Sequence, residues 1–531
     1  MRRILSAITF ACVLAVPASA QFFGQASGFT VENPVLRRLW ALGMDSSQAS
    51  TLAQVLLDSL GPRLTASPEM EAAQDWLVKT YQGWGVDAKK EQYGTWRGWR
   101  RGVTHLDLVA PRVRSLEAMM LAWSPGTPKG RPVRAPVIAF PDVADSAAFA
   151  AWLPQARGKF LLASFAQPTC RPDTSWDHWA TRATADSMKA RRAAALQAWN
   201  QRYQRAGYAP TRQALQRLQR RLDAAGVAGI LTNTWSQGWG VDKIFDATTE
   251  RAPVVDVSCE DYGLLYRLAE RGQGPVVELE AQAEPRGEIP VFNVVARIPG
   301  TALPNEYVML SAHFDSWDGG SGATDNGTGT ITMLEAMRIL HLAYPHPRRT
   351  ILVGHWSSEE QGLNGSSAFV QDHQPIVDSL QALFNQDNGT GRIERMSSSG
   401  FTLAAANLAR YLAQIPADLT RDIIFSFPGS PGGGGTDHAS FVTCGAPGFG
   451  LGSGNWDYGA YTWHTNRDTY DKISWDDIRT NATLVAMLAY LASEDADRMP
   501  RVRRDVFQPA PNGQPGAWPA CRTPLRSTPQ P

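Results

Sequence analysis

Side chains that bind metal ions or transfer protons are concentrated where a short apolar run gives way to a polar loop. The run Val308–Ala312 is followed at once by His313 and Asp315, and Asp325 ends a loop rich in Gly and Ser. Such a loop at the carboxyl end of a parallel strand is where open α/β sheets place their binding sites. The sequence therefore predicts a site on this loop, with further residues supplied by other loops at the same edge.

Three other places in the chain supply such residues. Glu359 and Glu360 follow a second apolar run, Asp387 follows a third, and His464 precedes the last helical pattern. Two imidazoles and four carboxylates, counting Asp325, can hold two zinc ions if one carboxylate bridges them, and one carboxylate then remains as a base. Two metal ions about 3.5–4 Å apart can share a hydroxide and polarise a carbonyl group. The pattern therefore predicts metal-assisted hydrolysis.

The adjacent pair Glu359-Glu360 suits two different roles. Neighbouring side chains on an extended chain point in opposite directions, so one glutamate can bind a metal ion while the other reaches the attacking water. Each residue also has a plainer interpretation. The pair alone is typical of a solvated surface, and a lone His313 or His464 is typical of a hydrogen-bonded histidine. The metal interpretation is favoured because all of these residues are predicted at one edge of the same sheet.

Apolar strands and amphipathic helices alternate from Val291 onward. This alternation predicts an α/β fold, a mostly parallel mixed sheet sandwiched between helices. The predicted strands are Val308–Ala312, Thr350–Trp356, Leu380–Asn385 and Ile423–Phe427. The predicted helices are Gly327–Leu342, Leu363–Asp372, Asp437–Thr443 and Trp475–Leu491.

Length and charge restrict the class of protein. The chain has 531 residues, too many for one ordinary hydrophobic core, so a second domain or a large insertion is expected. It carries 51 Lys and Arg against 50 Asp and Glu, and removal of Arg2 and Arg3 gives 49 − 50 = −1. A nucleic-acid-binding protein needs an excess of basic residues on one face, so nucleic acid is not expected as a partner.

Residues 1–20 have the three parts of a cleaved signal peptide. Arg2-Arg3 give the charged start, Ile4–Val16 the apolar centre and Ala18-Ser19-Ala20 the cleavage site before Gln21. A membrane anchor would need a longer apolar run, and no later segment is expected to span a membrane. The sequence therefore predicts export, to the periplasm or outside the cell.

Four cysteines remain in the mature chain, Cys170, Cys259, Cys444 and Cys521. Such thiols can pair outside the cytoplasm, but their spacing does not give the connectivity. None of them forms a C-x-x-C motif, so a cysteine zinc site is not expected.

Several sequence blocks resemble the co-catalytic zinc aminopeptidase family, zinc exopeptidases that carry a protease-associated domain insertion. The blocks are H-F-D-S-W-D, A-T-D-N-G-T-G, W-S-S-E-E-Q-G-L-N-G-S, D-N-G and W-H-T-N-R-D-T-Y-D-K-I. They are most similar to the carboxypeptidase Q branch, which also has a counterpart of V-F-N-V-V-A-R-I-P-G. The resemblance implies a zinc-exopeptidase-like fold, two Zn²⁺ ions, and hydrolysis of peptide bonds at a chain terminus or in dipeptides.

The resemblance also implies a role for each site residue. It implies that Asp325 bridges the metals, that His313 and Asp387 complete one, and that Glu360 and His464 complete the other. It implies that Glu359 is the general base, which takes a proton from the metal-bridged water and then protonates the leaving amine. Asp315 would act with the catalytic residues by a hydrogen bond that orients the ring of His313.

Residues that contact the substrate are harder to identify. Asp437 and His438 resemble the small-Asp-His segment of the family, which would face the substrate or support the ligands, although Asp437 is equally typical of a helix cap. Trp463 is a candidate for the wall of an aromatic pocket, or it packs the loops. The same alternatives apply to Trp317, Trp356 and Trp456. Arg467 and Lys472 could bind a peptide terminus, but structural roles are favoured for both.

Five segments are predicted along the chain. They are the signal peptide 1–20, an N-terminal part of the peptidase domain 21–129, an insertion 130–285, the catalytic domain 286–497 and a Pro-rich tail 498–531. The insertion resembles the β-rich protease-associated domain through G-K-F-L-L-A-S-F and A-A-G-V-A-G-I-L-T-N. An extra helical segment, 181–222, departs from that domain. No metal ligands are expected in the insertion.

Two other functions are kept as alternatives to an exported zinc exopeptidase. One is a catalytically inactive relative that acts as a receptor or scaffold, and the loss of ligands would mark it. The other is a single-zinc acyltransferase that resembles glutaminyl cyclase. The complete ligand set and the block W-H-T-N-R-D-T favour the exopeptidase, with peptides as substrates. A homodimer is one arrangement that the sequence leaves open, as it leaves open which peptide terminus is held.

Overall fold

The computed structural model describes residues 32–431, 435–504 and 517–529. The strands are β1 (Asp87–Ala110), β2 (Arg114–Leu116), β3 (Ala118–Met120), β4 (Val133–Ala139), β5 (Phe160–Leu162), β6 (Gly229–Thr232), β7 (Val254–Val257), β8 (Val276–Ile298), β9 (Leu303–His313), β10 (Arg349–Trp356), β11 (Leu380–Gln386), β12 (Ile393–Ser397), β13 (Ile424–Ser426) and β14 (Gly448–Ser453). The predicted signal peptide lies outside the described residues.

The α-helices follow the same chain order. They are α1 (Pro34–Trp40), α2 (Ala49–Gln54), α3 (Pro68–Gly83), α4 (Ser146–Trp152), α5 (Asp173–Trp179), α6 (Arg182–Arg205), α7 (Arg212–Ala225), α8 (Cys259–Glu270), α9 (Thr328–Ala343), α10 (Asn364–Asp372), α11 (Gln374–Asp378), α12 (Ala404–Leu412), α13 (Ala417–Thr420), α14 (His438–Thr443) and α15 (Trp475–Glu494). Among the helices of the described segments, none is long and apolar enough to cross a membrane.

Three adjacent strands form the centre of the sheet. Strand β9 pairs in parallel with β10 on one side and with β11 on the other, and β14 continues the parallel set beyond β11. Every residue of β10 and β11 is buried. Continuous burial of this kind is expected for parallel strands that are covered on both faces. The carboxyl ends of β9, β10 and β11 therefore meet at one edge of the sheet.

Helices cover both faces of this sheet. The largest hydrophobic core joins one face to α9 and α15, with Leu334 and Val485 fully buried between them and the strands. On the opposite face, Trp356 packs against Phe369 of α10 and Phe441 of α14. The predicted fold class, a mixed sheet between layers of helices, is thus confirmed.

Antiparallel pairs flank the parallel centre of the sheet on both sides. Strand β8 pairs antiparallel with β10, and β1 forms a long antiparallel ribbon with β8. On the far side β12 is antiparallel to β14. The predicted strand Ile423–Phe427 is shorter in the structure, where β13 covers Ile424–Ser426 at the outer edge of the sheet.

A second hydrophobic core lies around a smaller parallel set, β4 to β7, with β3 added antiparallel to β7. The segment predicted as helical, 181–222, forms α6 and α7. These helices are not wholly solvated, because Trp199 of α6 and Leu218 of α7 are buried in this core. A disulfide bond joins Cys170 to Cys259, at the start of α8, in the same region.

A second disulfide bond fixes part of the C-terminal segment. Cys521 is bonded to Cys444, directly after α14. Leu525 donates its main-chain N–H to Oδ1 of Asn364, the first residue of α10, at 2.9 Å. Residues 517–529 therefore lie beside the loops at the carboxyl edge of the sheet.

Candidate metal centre

The carboxyl ends of the three central strands carry the predicted ligands. His313 is the last residue of β9, Glu359 and Glu360 follow β10 after a short turn, and Asp387 comes directly after β11. Asp325 lies in the turn of π-helical type that precedes α9. Because the three strands are neighbours with one direction, their ends place these side chains in a single cluster.

Two groups of side chains share Asp325. Nε2 of His313 lies 2.9 Å from Oδ1 of Asp387 and 3.4 Å from Oδ1 of Asp325. Nε2 of His464 lies 2.9 Å from Oε2 of Glu360 and 3.3 Å from Oδ2 of Asp325. Each carboxylate oxygen of Asp325 thus faces a different imidazole. The five predicted ligands come together as one His-Asp group and one His-Glu group with a shared aspartate between them.

Glu359 lies at the same cluster. Its carboxylate falls within 4.8 Å of ligand atoms of His313 and Glu360. It also lines a cavity of about 480 Å³ together with Asp325 and Asp387, a volume typical of sites for small ligands. A carboxylate placed there can exchange protons with a molecule bound in the cavity.

The ring of His313 is oriented by the main chain. Nδ1 donates a hydrogen bond to the carbonyl oxygen of Asp315 at 2.9 Å, whereas Oδ1 of Asp315 lies 3.7 Å away. The sequence predicted that the side-chain carboxylate of Asp315 would accept this hydrogen bond, but the main-chain carbonyl oxygen of the same residue accepts it instead. With the proton on Nδ1, Nε2 presents a lone pair toward Asp387 and Asp325, as a metal ligand requires.

The carboxylate of Asp315 has a different task. Oδ1 accepts the main-chain N–H of Glu359 at 3.1 Å and Oδ2 accepts that of Glu360 at 3.3 Å. Thr65 donates its hydroxyl to Oδ2 at 3.4 Å. Asp315 is fully buried, so these contacts hold the turn that carries both glutamates.

Two residues outside the predicted set hold the loop of Asp325. Asp468 accepts the main-chain N–H groups of Thr324 at 2.7 Å and Asp325 at 3.0 Å. Arg63, also fully buried, donates to the carbonyl oxygens of Phe314 and Gly322. Asp468 could have been suspected from its place in the block W-H-T-N-R-D. Nothing local in the sequence marks Arg63.

Residues 243–245, which include Ile244 of the second hydrophobic core, support the segment that carries His464. Ile244 donates its main-chain N–H to the carbonyl oxygen of His464 at 2.8 Å. Nζ of Lys243 donates to the carbonyl oxygen of Trp463 at 2.6 Å and lies 4.3 Å above its ring. The ring of Phe245 meets that of His464 edge-on at 5.2 Å. Residues 243–245, which lie in the segment predicted as an insertion, therefore contact and support the predicted ligand His464.

Burial and charge act together on the ionisable groups. Burial raises the pKa of Glu360 to about 7 and that of Glu359 well above its ordinary value. Burial opposes the protonation of His464, but the carboxylate of Glu360 raises the pKa of this imidazole to about 9. These directions describe a buried cluster in which carboxylates outnumber cationic groups.

The donor set fits divalent zinc. Zinc prefers imidazole nitrogen and carboxylate oxygen, and both groups described above offer that mixture around the shared Asp325. Oδ2 of Asp325 and Oε1 of Glu360 are buried and accept no hydrogen bond from the described residues. Buried oxygens of this kind need a partner, and a cation between the side chains would supply it.

Of the remaining predicted residues, some line the cavity and others pack away from it. Trp463 is 38% exposed and lines the cavity, whereas the partly buried His438 packs its ring against Gly450 of β14. Asp437 is the residue before α14, but its side chain makes no capping hydrogen bond, and burial raises its pKa to about 8. Arg467 donates two hydrogen bonds to the carbonyl oxygen of Gly240, a structural contact.

The other three tryptophans have separate environments. Trp317 is buried and its Nε1–H donates to Oε2 of Glu360 at 2.8 Å, so it touches the cluster directly. Trp356 is fully buried in the core beneath the sheet. Trp456 and Lys472 line a neighbouring cavity of about 520 Å³ and do not line the one that contains Glu359.

The fold and the site together define a class of protein, the zinc metallopeptidases of α/β fold. More narrowly, residues 293–489 match the model of Peptidase family M28, and this segment contains every candidate ligand. The similarity to curated proteins extends over most of the chain. Carboxypeptidase Q of Mus musculus is 26% identical over 456 residues, which cover 84% of this chain and 86% of that protein. Carboxypeptidase Q of Homo sapiens is 24% identical over 449 residues, with 84% and 85% covered.

Solved structures share the fold. A Peptidase M28 precursor from Shewanella amazonensis SB2B superposes with a TM-score of 0.63 at 23% identity, covering 88% of this chain and 97% of that one. BSAP, a zinc aminopeptidase from Bacillus subtilis, gives a TM-score of 0.54 at 18% identity, with 86% and 97% covered. The resemblance and the fold expected from the sequence blocks are confirmed.

Proposed function

We propose that this chain is an exported exopeptidase that holds two zinc ions and hydrolyses peptide bonds next to a chain terminus. The observation that carries the proposal is the position of Asp325, whose two oxygens each face a different imidazole. His313 and Asp387 would complete one zinc site, and Glu360 and His464 the other. Export is supported by the predicted signal peptide and by the two disulfide bonds.

Each group in the cavity would have a distinct part in the reaction. Bound zinc ions lower the pKa of a water molecule and polarise a carbonyl group. Glu359 would accept a proton from the attacking water and later deliver a proton to the amine of the leaving residue. Asp315 would hold Glu359 in place through the main-chain N–H, because its carboxylate accepts that group at 3.1 Å.

The same geometry argues against the two alternatives. An inactive receptor would have no need for a complete set of ligands around a cavity. Here the five predicted ligands belong to overlapping groups of three residues, and the ligand atoms within each group lie within 4.8 Å of one another. A single-zinc acyltransferase would need only one of the two groups that share Asp325. The relatives named carboxypeptidase and zinc aminopeptidase support peptide hydrolysis and leave the choice of terminus to experiment.

A substrate panel with and without a chelator tests this proposal. Dipeptides, aminoacyl anilides and peptides blocked at one end would be assayed with the purified mature chain. We expect hydrolysis of at least one unblocked class, loss of that activity with a chelator, and its recovery on addition of zinc. Activity that is indifferent to chelation, or no hydrolysis of any member by the zinc-loaded protein, would contradict the proposal.

A further inference from the structure

Two arginines from distant parts of the chain line the cavity that contains Glu359. Arg212 is the first residue of α7, within the extra helical segment, and Arg522 belongs to the C-terminal segment. Both lie outside the part of the chain that matches the peptidase family, residues 293–489. The wall of the cavity therefore combines a cluster of acids with two permanent cations that the family core does not supply.

The cavity of Glu359 adjoins a second, larger space beside Arg212. Gln361, two residues after Glu359, lines this cavity and also a larger groove of about 890 Å³, and Arg212 lines both spaces as well. The segment of Arg522 is held there by the hydrogen bond from Leu525 to Asn364 and by the disulfide bond of Cys521. In the proposed reaction Glu359 protonates the leaving amine, so the leaving residue would lie next to Glu359, in the cavity that both arginines line.

The guanidinium of Arg212 is held in a fixed position. Its Nη2 donates to Oδ1 of Asp246, and Asp246 also accepts a hydrogen bond from Gln216 on the next turn of α7 at 2.9 Å. A guanidinium has five N–H donors, and the contact with Asp246 occupies one of them. The side chain of Arg212 is 59% exposed, so the rest of the planar group is accessible from the cavity.

A planar guanidinium is suited to a carboxylate, which it can bind through two parallel hydrogen bonds. We infer that Arg212, assisted by Arg522, binds the free α-carboxylate of the leaving residue. The substrates would then be peptides in which the scissile bond is next to the C-terminus, including dipeptides. This inference rests on the proposed function and adds the end of the peptide that the enzyme recognises.

The test compares a dipeptide with its own C-terminal amide, which differs only in the negative charge. For the wild-type protein we expect kcat/KM to be about 10- to 100-fold higher for the free acid, the range of a charge-assisted hydrogen bond. Arg212→Met should remove most of this preference for the free acid. We expect kcat/KM to fall by about 10- to 100-fold for the acid and much less for the amide, which has no charge for Arg212 to bind. Arg212→Lys should keep part of the preference.

Arg217 provides a matched control on the same helix. It lines the larger groove and does not line the cavity of Glu359, so Arg217→Met should keep the preference of the wild-type protein. Thermal melting and zinc content of each variant would show that the fold and the metal centre are intact. Arg522→Met should reduce the preference for the acid in the same direction as Arg212→Met.

The outcomes separate this inference from the proposed function. If the wild-type protein cleaves the amide as well as the acid, or if Arg212→Met lowers both equally, carboxylate recognition by Arg212 is wrong while the peptidase assignment stands. If the zinc-loaded wild-type protein cleaves neither these nor any other peptide, the proposed function itself is wrong.

Discussion

The indole N–H of Trp317 donates a hydrogen bond of 2.8 Å to Oε2 of Glu360, one of the predicted zinc ligands. Trp317 also packs its ring against that of His464, at 5.8 Å between centroids. One buried side chain thus contacts both residues that would complete the second zinc site. Partners of this kind orient a ligand, and their loss typically lowers metal affinity by about 10- to 100-fold.

We therefore expect Trp317→Phe to weaken the binding of one of the two proposed zinc ions. It removes the donor to Glu360 but keeps an aromatic ring, so we expect the affinity for the more weakly bound zinc to fall by about 10- to 100-fold. Zinc titration with a competing chelator measures the change. Trp99→Phe is the control, since Trp99 donates its indole N–H to the carbonyl oxygen of Ser124, away from the cluster. Equal zinc affinities in wild type and Trp317→Phe would contradict the role assigned to this bond.

Glu359→Ala should abolish turnover and leave the zinc content almost unchanged. General acid–base catalysis contributes about 10²- to 10⁴-fold, so kcat should fall by at least that range. Zinc binding should persist because Glu359 is outside the two groups that share Asp325. The measurement is kcat together with zinc per chain, and a variant with normal kcat would show that another group acts as the base.

Several parts of the site could be predicted from the sequence because they are local to the ends of strands. His313, Glu359 and Asp387 each follow an apolar run long enough to identify, and parallel pairing of adjacent strands then brings them together. The eight elements predicted from Val308 onward are all present. Strand β14 was missed, because its sequence G-F-G-L-G-S has glycine at alternate positions in place of apolar side chains. A Cβ at Gly450 would lie 2.9 Å from the ring of His438, so this strand needs glycine.

The supporting contacts could not be predicted in this way. Lys243 meets Trp463 across 220 residues of chain, and Arg63 meets Gly322 across 259. No periodicity connects positions so far apart, since these contacts exist only after the two cores have packed together. His313 donates to the carbonyl oxygen of Asp315 and not to its carboxylate. Loop geometry decides between these two acceptors, and the spacing of the residues does not specify it.

A buried histidine, His355, is expected to make the free energy of unfolding depend on pH. His355 is fully buried in β10, with Nε2 at 2.8 Å from the hydroxyl of Tyr81, and burial lowers its pKa to about 3. The unfolded chain takes up this proton near the ordinary value of about 6.5, whereas the folded chain does not. The stabilisation is therefore complete above about pH 6.5 and is lost progressively as the pH falls toward 3, at roughly 1 kcal/mol per pH unit.

Denaturant unfolding of metal-free protein between pH 6 and pH 4 checks this expectation. In His355→Gln the free energy of unfolding should depend on pH less steeply than in wild type, by the equivalent of about one proton. His346 has an exposed side chain, and His346→Gln should keep the slope of the wild-type protein. Identical slopes in wild type and His355→Gln would show that the buried imidazole does not control acid stability.

The central claim is that two zinc ions share Asp325, and the number of zinc ions bound per chain tests it most directly. Zinc would be measured by mass spectrometry of the metal after dialysis against zinc-free buffer, in the wild-type protein, in Asp325→Asn and in Asp186→Asn, a control at an exposed position of α6. We predict two zinc ions per chain in wild type and in the control, and at most one in Asp325→Asn. A wild-type protein with one zinc ion or none, or an Asp325→Asn variant that keeps two, would contradict the account.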